Sequence, residues 1–229
     1  MSIVPEKRFA GESDAYRQQR NELLDAEVAL KDQRERVAEL RRQLPLGAPV
    51  TKDYVFREGP SDLARNAPGD FFDTRLAELF APGKDSLIVA HVMFGTNDER
   101  GCPMCGMWVD GYNRVLPHVS DRTNFVVVAK KEIGALRAWA RDRGWDQLRL
   151  LSSHDNDFNA DHQVEQDGHQ LPGLSVFLRR DGAIHHWYTT EGSLVFRHHR
   201  AMDLFSPVWH LFDLLPEGRG DWFPKHAYG

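Results

Sequence analysis

Apolar positions along this chain fall in three patterns, and each predicts a different element. Between Asp14 and Leu44 there is no Gly or Pro, and Tyr16, Leu23, Leu30, Val37 and Leu44 recur at every seventh position. With Ser13 as N-cap and Asp14 in the first turn, this spacing predicts one long helix. Its companion seam, Gln19, Ala26, Gln33 and Leu40, is mostly polar, so only half of a coiled-coil repeat is present. Such a helix lays a narrow stripe either on its own domain or on a second copy of the chain.

The second pattern is nearly unbroken apolar character, which marks strands buried on both faces. Ser86–Phe94 and Asn124–Ala129 show it, and Leu148–Ser152 shows it in shorter form. Helices are expected between them, from Met104 to about Val119 and from Glu132 to Arg143. In the second of these Ile133, Leu136 and Trp139/Ala140 share a face, and Gly144 ends it. The third pattern is a pair of strands, Leu174–Arg179 and Ala183–Thr190, separated by Arg180-Asp181-Gly182, a hairpin signal. Before the core, Asp53–Arg57 reads as a short strand, Ser61–Gly69 as loop, and Thr74–Phe80 as a short helix closed by Pro82-Gly83. After the third core strand, Ser153–Gln170 reads as a polar loop. A last helix is expected over Arg200–Leu214, then a tail from Pro216 to Gly229 rich in Gly, Pro and aromatic residues. The order β-α-β-α-β implies a parallel core with right-handed crossovers.

Composition narrows the function classes. Of the 229 residues 41% are hydrophobic and 28% charged, ordinary values for a water-soluble chain. A net charge of −5 argues against a nucleic-acid surface. No run approaches the roughly 18 apolar residues of a membrane span. The segment Met1–Lys7 lacks the apolar core of a secretion signal. Two cysteines cannot build a disulfide framework for a chain of this size, so a reducing cytoplasm is expected.

Those two cysteines carry the candidate chemistry. They lie three apart in Gly101-Cys102-Pro103-Met104-Cys105-Gly106-Met107-Trp108, between a buried strand and a helix. With Cys102 at the N-cap, Pro103 takes the first helical position, where its missing N–H costs nothing. Cys105 then follows on the same helix face, with Cα atoms roughly 5–6 Å apart, within disulfide reach. The unpaired N–H groups of the helix start favour a thiolate at Cys102. Cys105, one turn in, is the expected resolving thiol. A half zinc site is an alternative, with His91, His118 or His154 completing it, although no zinc-finger spacing is present. An inert cysteine pair on a binding scaffold is another.

Other motifs weigh less. His185-His186 and His198-His199 suggest metal tracts, but neighbours in a strand point to opposite faces. Asp155, Asp157, Asn159 and Asp161 have calcium-loop spacing, yet Ala160 replaces the Gly and Gln166 the closing Glu. They are expected in a solvated loop near the cysteines. Trp108 is expected in the core.

The order β-α-β-α-β-β-α with C-x-x-C after the first core strand is the layout of a thioredoxin-like fold. The preceding strand and short helix resemble a peroxiredoxin-like N-terminal extension. The chain also resembles the DUF899 family, described as predicted dithiol–disulfide oxidoreductases of thioredoxin-like fold. The resemblance rests on the long N-terminal helix leading to Asp53-Tyr54-Val55-Phe56, on His91–Gly95, and on Cys102–Cys105 with Trp108, Asp110 and Gly111. It continues through Arg143-Gly144-Trp145, Ser152-Ser153, Asp157-Phe158-Asn159, Ser175-Val176-Phe177 and Pro216–Trp222. Thioredoxin-fold proteins place a cis-proline before the strand that follows the β-α-β half, and Pro172 stands at that place. The resemblance therefore implies a cis Leu171–Pro172 bond beside the sulfurs and a substrate-binding role for Pro172. Two departures are Gly101, where thioredoxins have tryptophan, and Pro103 directly after the first cysteine, as in glutaredoxins.

The expected organisation is an N-terminal helix and linker over 1–48, a thioredoxin-like α/β domain over 49–215 and a C-terminal tail over 216–229. The expected function is that of a cytoplasmic thiol–disulfide oxidoreductase with Cys102 as nucleophile and Cys105 as resolving thiol. It would act on a protein or small-molecule disulfide, with an external thiol electron donor and no bound cofactor or metal. A peroxide-reducing variant of the same chemistry and a non-catalytic interaction module stand beside it. A homodimer through the N-terminal helix is the expected assembly.

Overall fold

A computed structural model of the chain describes residues 7–190, 206–216 and 220–227. The chain divides into two compact units, Met1–Pro45 and Leu46–Gly229. The first is built on helix α1 (Asp14–Arg42). Ser13 caps it, its hydroxyl accepting from the Tyr16 N–H at 3.2 Å. Asp14 in the first turn and Arg41 and Arg42 in the last oppose the helix dipole. Arg17 grips Glu12 through Nε at 2.6 Å and Nη2 at 2.5 Å, fixing the chain just before the helix.

The second unit is organised by one seven-stranded sheet. Its strands are β1 (Val55–Glu58), β2 (Phe72–Arg75), β3 (Ser86–His91), β4 (Asn124–Ala129), β5 (Arg149–Ser152), β8 (Gly173–Arg180) and β9 (Ala183–Thr189). A separate two-stranded ladder pairs β6 (Glu165–Gln166) with β7 (His169–Gln170). The large sheet runs β2-β1-β5-β4-β3-β8-β9. Strands β3, β4 and β5 are parallel, while β8 and β1 flank them antiparallel. Helix α2 (Pro103–Arg122) crosses from β3 to β4, and α3 (Ile133–Arg143) from β4 to β5. Both crossovers step the same way across the sheet, so uniform handedness puts both helices on one face. The hairpin β8–β9 adds the strand order of a thioredoxin-like fold, and β1–β2 extends it at the other side.

Alternation along the strands splits the core in two. On the helix side Ala90, Val127, Ala129, Leu150 and Leu174 pack with Cys105, Trp108, Val109, Leu136 and Trp145. Val208 and Phe212 of a short helix α5 (Val208–Phe212) and Trp222 join that side. On the opposite side Leu87, Val89, Val126, Val128, Leu151 and Phe177 pack with Tyr54, Phe56, Leu79 and Phe158. Burying both faces explains the continuous apolar runs. Gly144 ends α3 at φ 72°, the left-handed position that favours glycine. Asp181 at φ 50° and Gly182 at φ 79° form the tight β8–β9 turn. The outer edge of β9 is covered over Ile184–His186: Val50 N–H donates to Ile184 O at 2.7 Å and His186 N–H to Ala48 O at 3.2 Å.

Three expectations change. Thr74–Phe80 is not one short helix: β2 continues through Arg75, and a 3-10 turn spans Leu76–Leu79. Pairing Thr74 opposite Phe56, with its hydroxyl donating to Glu58 at 2.7 Å, outweighs a helix too short to repay its nucleation. The segment after β5 holds a helical turn, α4 (Phe158–Asp161), as well as the β6–β7 ladder. Phe158 and Asn159 are buried there, while Asp155 and Asp157 stay exposed. Asn159 accepts from Ser153 Oγ at 2.8 Å and donates to Gln170 Oε1 at 2.6 Å, so the segment is tied down rather than freely solvated. The Leu171–Pro172 peptide is trans, as are all the described peptides. Leu171 N–H donates to Val164 O at 2.8 Å, and the chain enters β8 extended, with no tight turn to make. Of the helix expected over Arg200–Leu214, residues 200–205 lie outside the described residues, as does the His198-His199 pair.

A consequence follows for stability. His91 and His162 are buried beside Phe158. Burial, and then the neighbouring His162 and His186, push the His91 pKa down to about 3. Burial, then His186, push His162 down to about 4, against the opposing pull of Asp161. The unfolded chain takes protons on both rings near pH 6.5, while the fold holds them neutral. Stability is therefore complete above pH 6.5 and falls by about 1.4 kcal/mol per pH unit per ring as pH drops below it. Urea unfolding between pH 7 and 5 should show this slope, and His162→Gln should remove about half of it. A flat profile over that window would contradict the buried neutral rings.

Candidate functional site

Strand β3 delivers the chain to the cysteines, and a short loop folds back to start α2. Gly95 N–H donates to Asp98 Oδ2 at 2.6 Å. Lys131 Nζ donates to the carbonyls of Thr96 at 2.8 Å and Asp98 at 2.7 Å, and sits 5.3 Å from the Phe94 ring centre. Cys102 N–H then donates to Met93 O at 2.9 Å, closing the loop. Gly101 is required by a close approach: a Cβ there would lie 2.4 Å from the Trp139 ring.

Cys102 is the N-cap of α2 and Pro103 opens the first turn. Cys102 is part-exposed and Cys105 buried, and both thiols are free. The hydrogen bond from the Cys105 thiol holds the Cys102 pKa down to about 6, against the opposing cost of burial. The Cys102 side chain closes no capping hydrogen bond, but the N–H groups of Cys105 and Met104 add to the stabilisation of its thiolate. Burial pushes the Cys105 thiol well above its ordinary range, and the neighbouring Cys102 adds to this. Met93 N–H points to Cys105 Sγ at 3.4 Å. The two sulfurs thus differ in access and in charge.

Behind them the structure joins stretches that are far apart in sequence. Asp110 on α2 accepts from Arg143 Nε at 3.0 Å, from Arg143 Nη2, and from Trp145 Nε1 at 2.8 Å. Trp139 packs edge-on against Phe94 at 5.4 Å and Trp145 at 4.7 Å. Tyr112 and Trp108 lie seven and three residues beyond Cys105, on its helix stripe. Trp108 is buried, as expected. The Tyr112 hydroxyl and the Trp108 indole N–H are buried without a hydrogen-bond partner. Burial, and then Cys105, raise the Tyr112 pKa. Periodicity from Cys105 could have singled out Tyr112. The apolar face of α3 marks Trp139 as core-facing, but nothing local in the sequence places it against the cysteine loop.

The remaining sequence candidates fall as follows. Pro172 is buried and precedes Gly173, which pairs with His91 at the end of β3, so it lies at the same sheet end as the cysteine loop. The histidines offered as zinc ligands go elsewhere. His91 Nε2 bonds Ser175 Oγ at 2.8 Å, His154 Nδ1 bonds Asp155 at 2.7 Å, and His118 is exposed on α2. Among the described residues no three His, Cys, Asp or Glu side chains converge as metal ligands. His185 and His186 take different partners, Gly47 O at 2.9 Å and Thr189 Oγ1 at 2.7 Å. Asp161 of the calcium-like spacing accepts from Lys52 Nζ at 2.5 Å and the Tyr54 hydroxyl at 2.6 Å. Among the described residues no helix is long and apolar enough to cross a membrane.

With this geometry in place, comparison identifies the family. The chain belongs to DUF899, described as "Bacterial protein of unknown function (DUF899)", which matches residues 5–228. No curated protein sequence matches it. Similar solved structures include the Plasmodium falciparum antioxidant protein, a 1-Cys peroxiredoxin, at 13% identity and TM-score 0.46, covering 65% of this chain and 84% of that one. Peroxidoxin BcpB from Mycobacterium tuberculosis is similar at 14% identity and TM-score 0.47, covering 71% and 94%. Plasmodium yoelii thioredoxin peroxidase I is similar at 14% identity and TM-score 0.48, covering 81% and 99%.

The asymmetry of the thiols is directly measurable. Iodoacetamide labelling of the reduced protein should modify Cys102 alone, with a midpoint near pH 6, while Cys105 reacts only on unfolding. Equal labelling of both, or a midpoint near the ordinary 8.5 or so, would contradict the site as described.

Proposed function

We propose that this DUF899 chain is a thiol–disulfide oxidoreductase whose reacting groups are Cys102 and Cys105. The carrying observation is the pairing of a part-exposed Cys102, its pKa lowered to about 6, with a buried Cys105 whose pKa is raised. Cys102 is largely thiolate at neutral pH. It attacks one sulfur of a substrate disulfide, forming a mixed disulfide and releasing the other substrate sulfur as thiolate. Cys105 then gives up its proton and attacks Cys102 Sγ. The second substrate thiolate leaves, and a Cys102–Cys105 disulfide remains. Two electrons have passed to the substrate, and an external dithiol returns the pair to its reduced state. No step calls on a bound cofactor. Pro172, at the sheet end that carries the cysteine loop, would border the substrate chain. A hydroperoxide acceptor would use the same two sulfurs. A chain with two cysteines and such a pair suits the reducing cytoplasm.

Cys102→Ser should abolish reduction of insulin and of 5,5′-dithiobis(2-nitrobenzoate). Cys105→Ser should instead leave a mixed disulfide on Cys102, visible by mass spectrometry as one added substrate half. If wild type turns over neither disulfide and the pair cannot be titrated in a redox buffer, the chain is a binding module. Turnover of hydroperoxide alone would assign the peroxide variant.

Helix α1 supports a further reading, that two copies associate through it. Tyr16, Leu23, Leu30 and Leu44, four of the five seven-spaced residues, are exposed. Such a row is stabilised when a second helix covers it. Light scattering should give a dimer for wild type and a monomer for the double variant Leu23→Glu, Leu30→Glu. A wild type that is monomeric at micromolar concentration would sink the idea, as would a variant that stays dimeric.

A further inference from the structure

A groove runs from the cysteine loop across α3, and the chain's own C-terminal segment lies over it. One cavity of about 520 Å³ is walled by Phe94, Ala135, Ala138 and Trp139 and by Glu99, Arg100 and Gly101, the last directly before Cys102 in sequence. A second of about 420 Å³ is walled by Asp110, Asn113, Arg114 and Trp145. Both share Asp142, Arg143, His226 and Ala227. The tail thus borders both cavities, at the Asp142–Arg143 ridge between them. Its attachment is main-chain recognition: Arg143 Nη1 donates to His226 O at 2.9 Å and reaches Lys225 O at 3.5 Å. Asp110 holds the other side of the same guanidinium, through Nε and Nη2, which aims Nη1 at the tail. Upstream, Trp222 packs on Phe212 with ring centres 4.9 Å apart.

We propose that this groove is the binding cleft for an extended polypeptide carrying the disulfide substrate, and that residues 225–227 are its resident occupant, displaced when substrate binds. The proposal rests on the redox reading for the identity of the reaction, but not for the binding. Three features select a polypeptide over a small disulfide. The cleft adjoins the residue before Cys102. Phe94, Ala135, Ala138 and Trp139 give it one apolar face, alongside the charged Glu99, Arg100, Asp142 and Arg143 in its lining. Its fixed donor already takes backbone carbonyls, which every peptide offers whatever its side chains. Sequence-tolerant recognition of this kind suits a reductase of many proteins, with the apolar face favouring an apolar side chain next to the substrate cysteine.

The test uses the full-length chain and a triple variant, Lys225→Gly, His226→Gly and Ala227→Gly. The variant keeps the carbonyls but makes ordering of the segment costlier, which should open the cleft by at least about tenfold. A fluorescein-labelled peptide of the sequence Trp222–Gly229 should bind the variant at least about tenfold tighter than wild type in anisotropy. Adding Arg143→Gln to the variant should abolish that gain. With insulin the variant's KM should fall while kcat holds, and with 5,5′-dithiobis(2-nitrobenzoate) both constants should stay at wild-type values. Equal peptide binding by the two proteins, no binding by either, or equal changes with both disulfides would overturn the proposal. If neither disulfide is reduced, the redox reading falls and the anisotropy result alone decides the cleft.

Discussion

The site depends on one main-chain hydrogen bond, from Cys102 N–H to Met93 O. It fixes the start of α2 to the end of β3, and it spends a donor of the cysteine itself on that anchoring. Met93 N–H on the same residue points to Cys105 Sγ, so both main-chain groups of Met93 address the cysteine pair. A buried strand with ladders on both sides thereby holds the two sulfurs in place. Lys131 and Trp139, from the segment after β4, press the loop from the other side. The loop has little room to relax, and a glycine at 101 is the condition for that contact.

Helix α3 carries much of the load although it contains no reacting group. Its Arg137 is buried and donates to four neutral oxygens: the carbonyls of Pro60, Asp62 and Arg65, and Asn66 Oδ1. A buried guanidinium is costly unless its donors are filled. Here they are filled by a loop that in turn acquires a fixed shape. Two residues on, Trp139 faces the cysteine loop, and Arg143 at the helix end faces Asp110 and the tail. One short helix thus joins the β1–β2 extension, the cysteine loop and the C-terminal segment.

What was legible in the sequence was what local pattern controls. Asn124–Ala129 was readable to the residue because burial on both faces leaves no polar position after Asn124. The turn at Asp181-Gly182 was readable because positive φ at both positions demands such residues. The cysteine pair at a helix start was readable because Pro103 marks the first turn. Partners set by tertiary pairing were not legible. Thr74 looks helical in its own neighbourhood and becomes strand only because Phe56 and Glu58 lie opposite. His91 and His162 are 71 positions apart and meet only across Phe158. Asp110 and Arg143 were noted as pieces of separate motifs, and only the fold shows them to be one ion pair. The cis bond expected at Pro172 came from analogy, and the β6–β7 ladder supplies an extended approach that analogy did not include.

The covered edge of β9 has a consequence for assembly. Residues 48–50 occupy the Ile184 carbonyl and the His186 N–H of β9, and Pro49 there has no N–H to offer outward. At the opposite border β2 is only four residues long and carries Asp73 and Arg75, charges that discourage strand addition. Over Ile184–His186 and at β2 the borders of the sheet thus resist an added β-strand. The fold is thereby guarded against edge-to-edge aggregation. At these positions a β-rich partner would meet side chains and loops rather than an open strand edge.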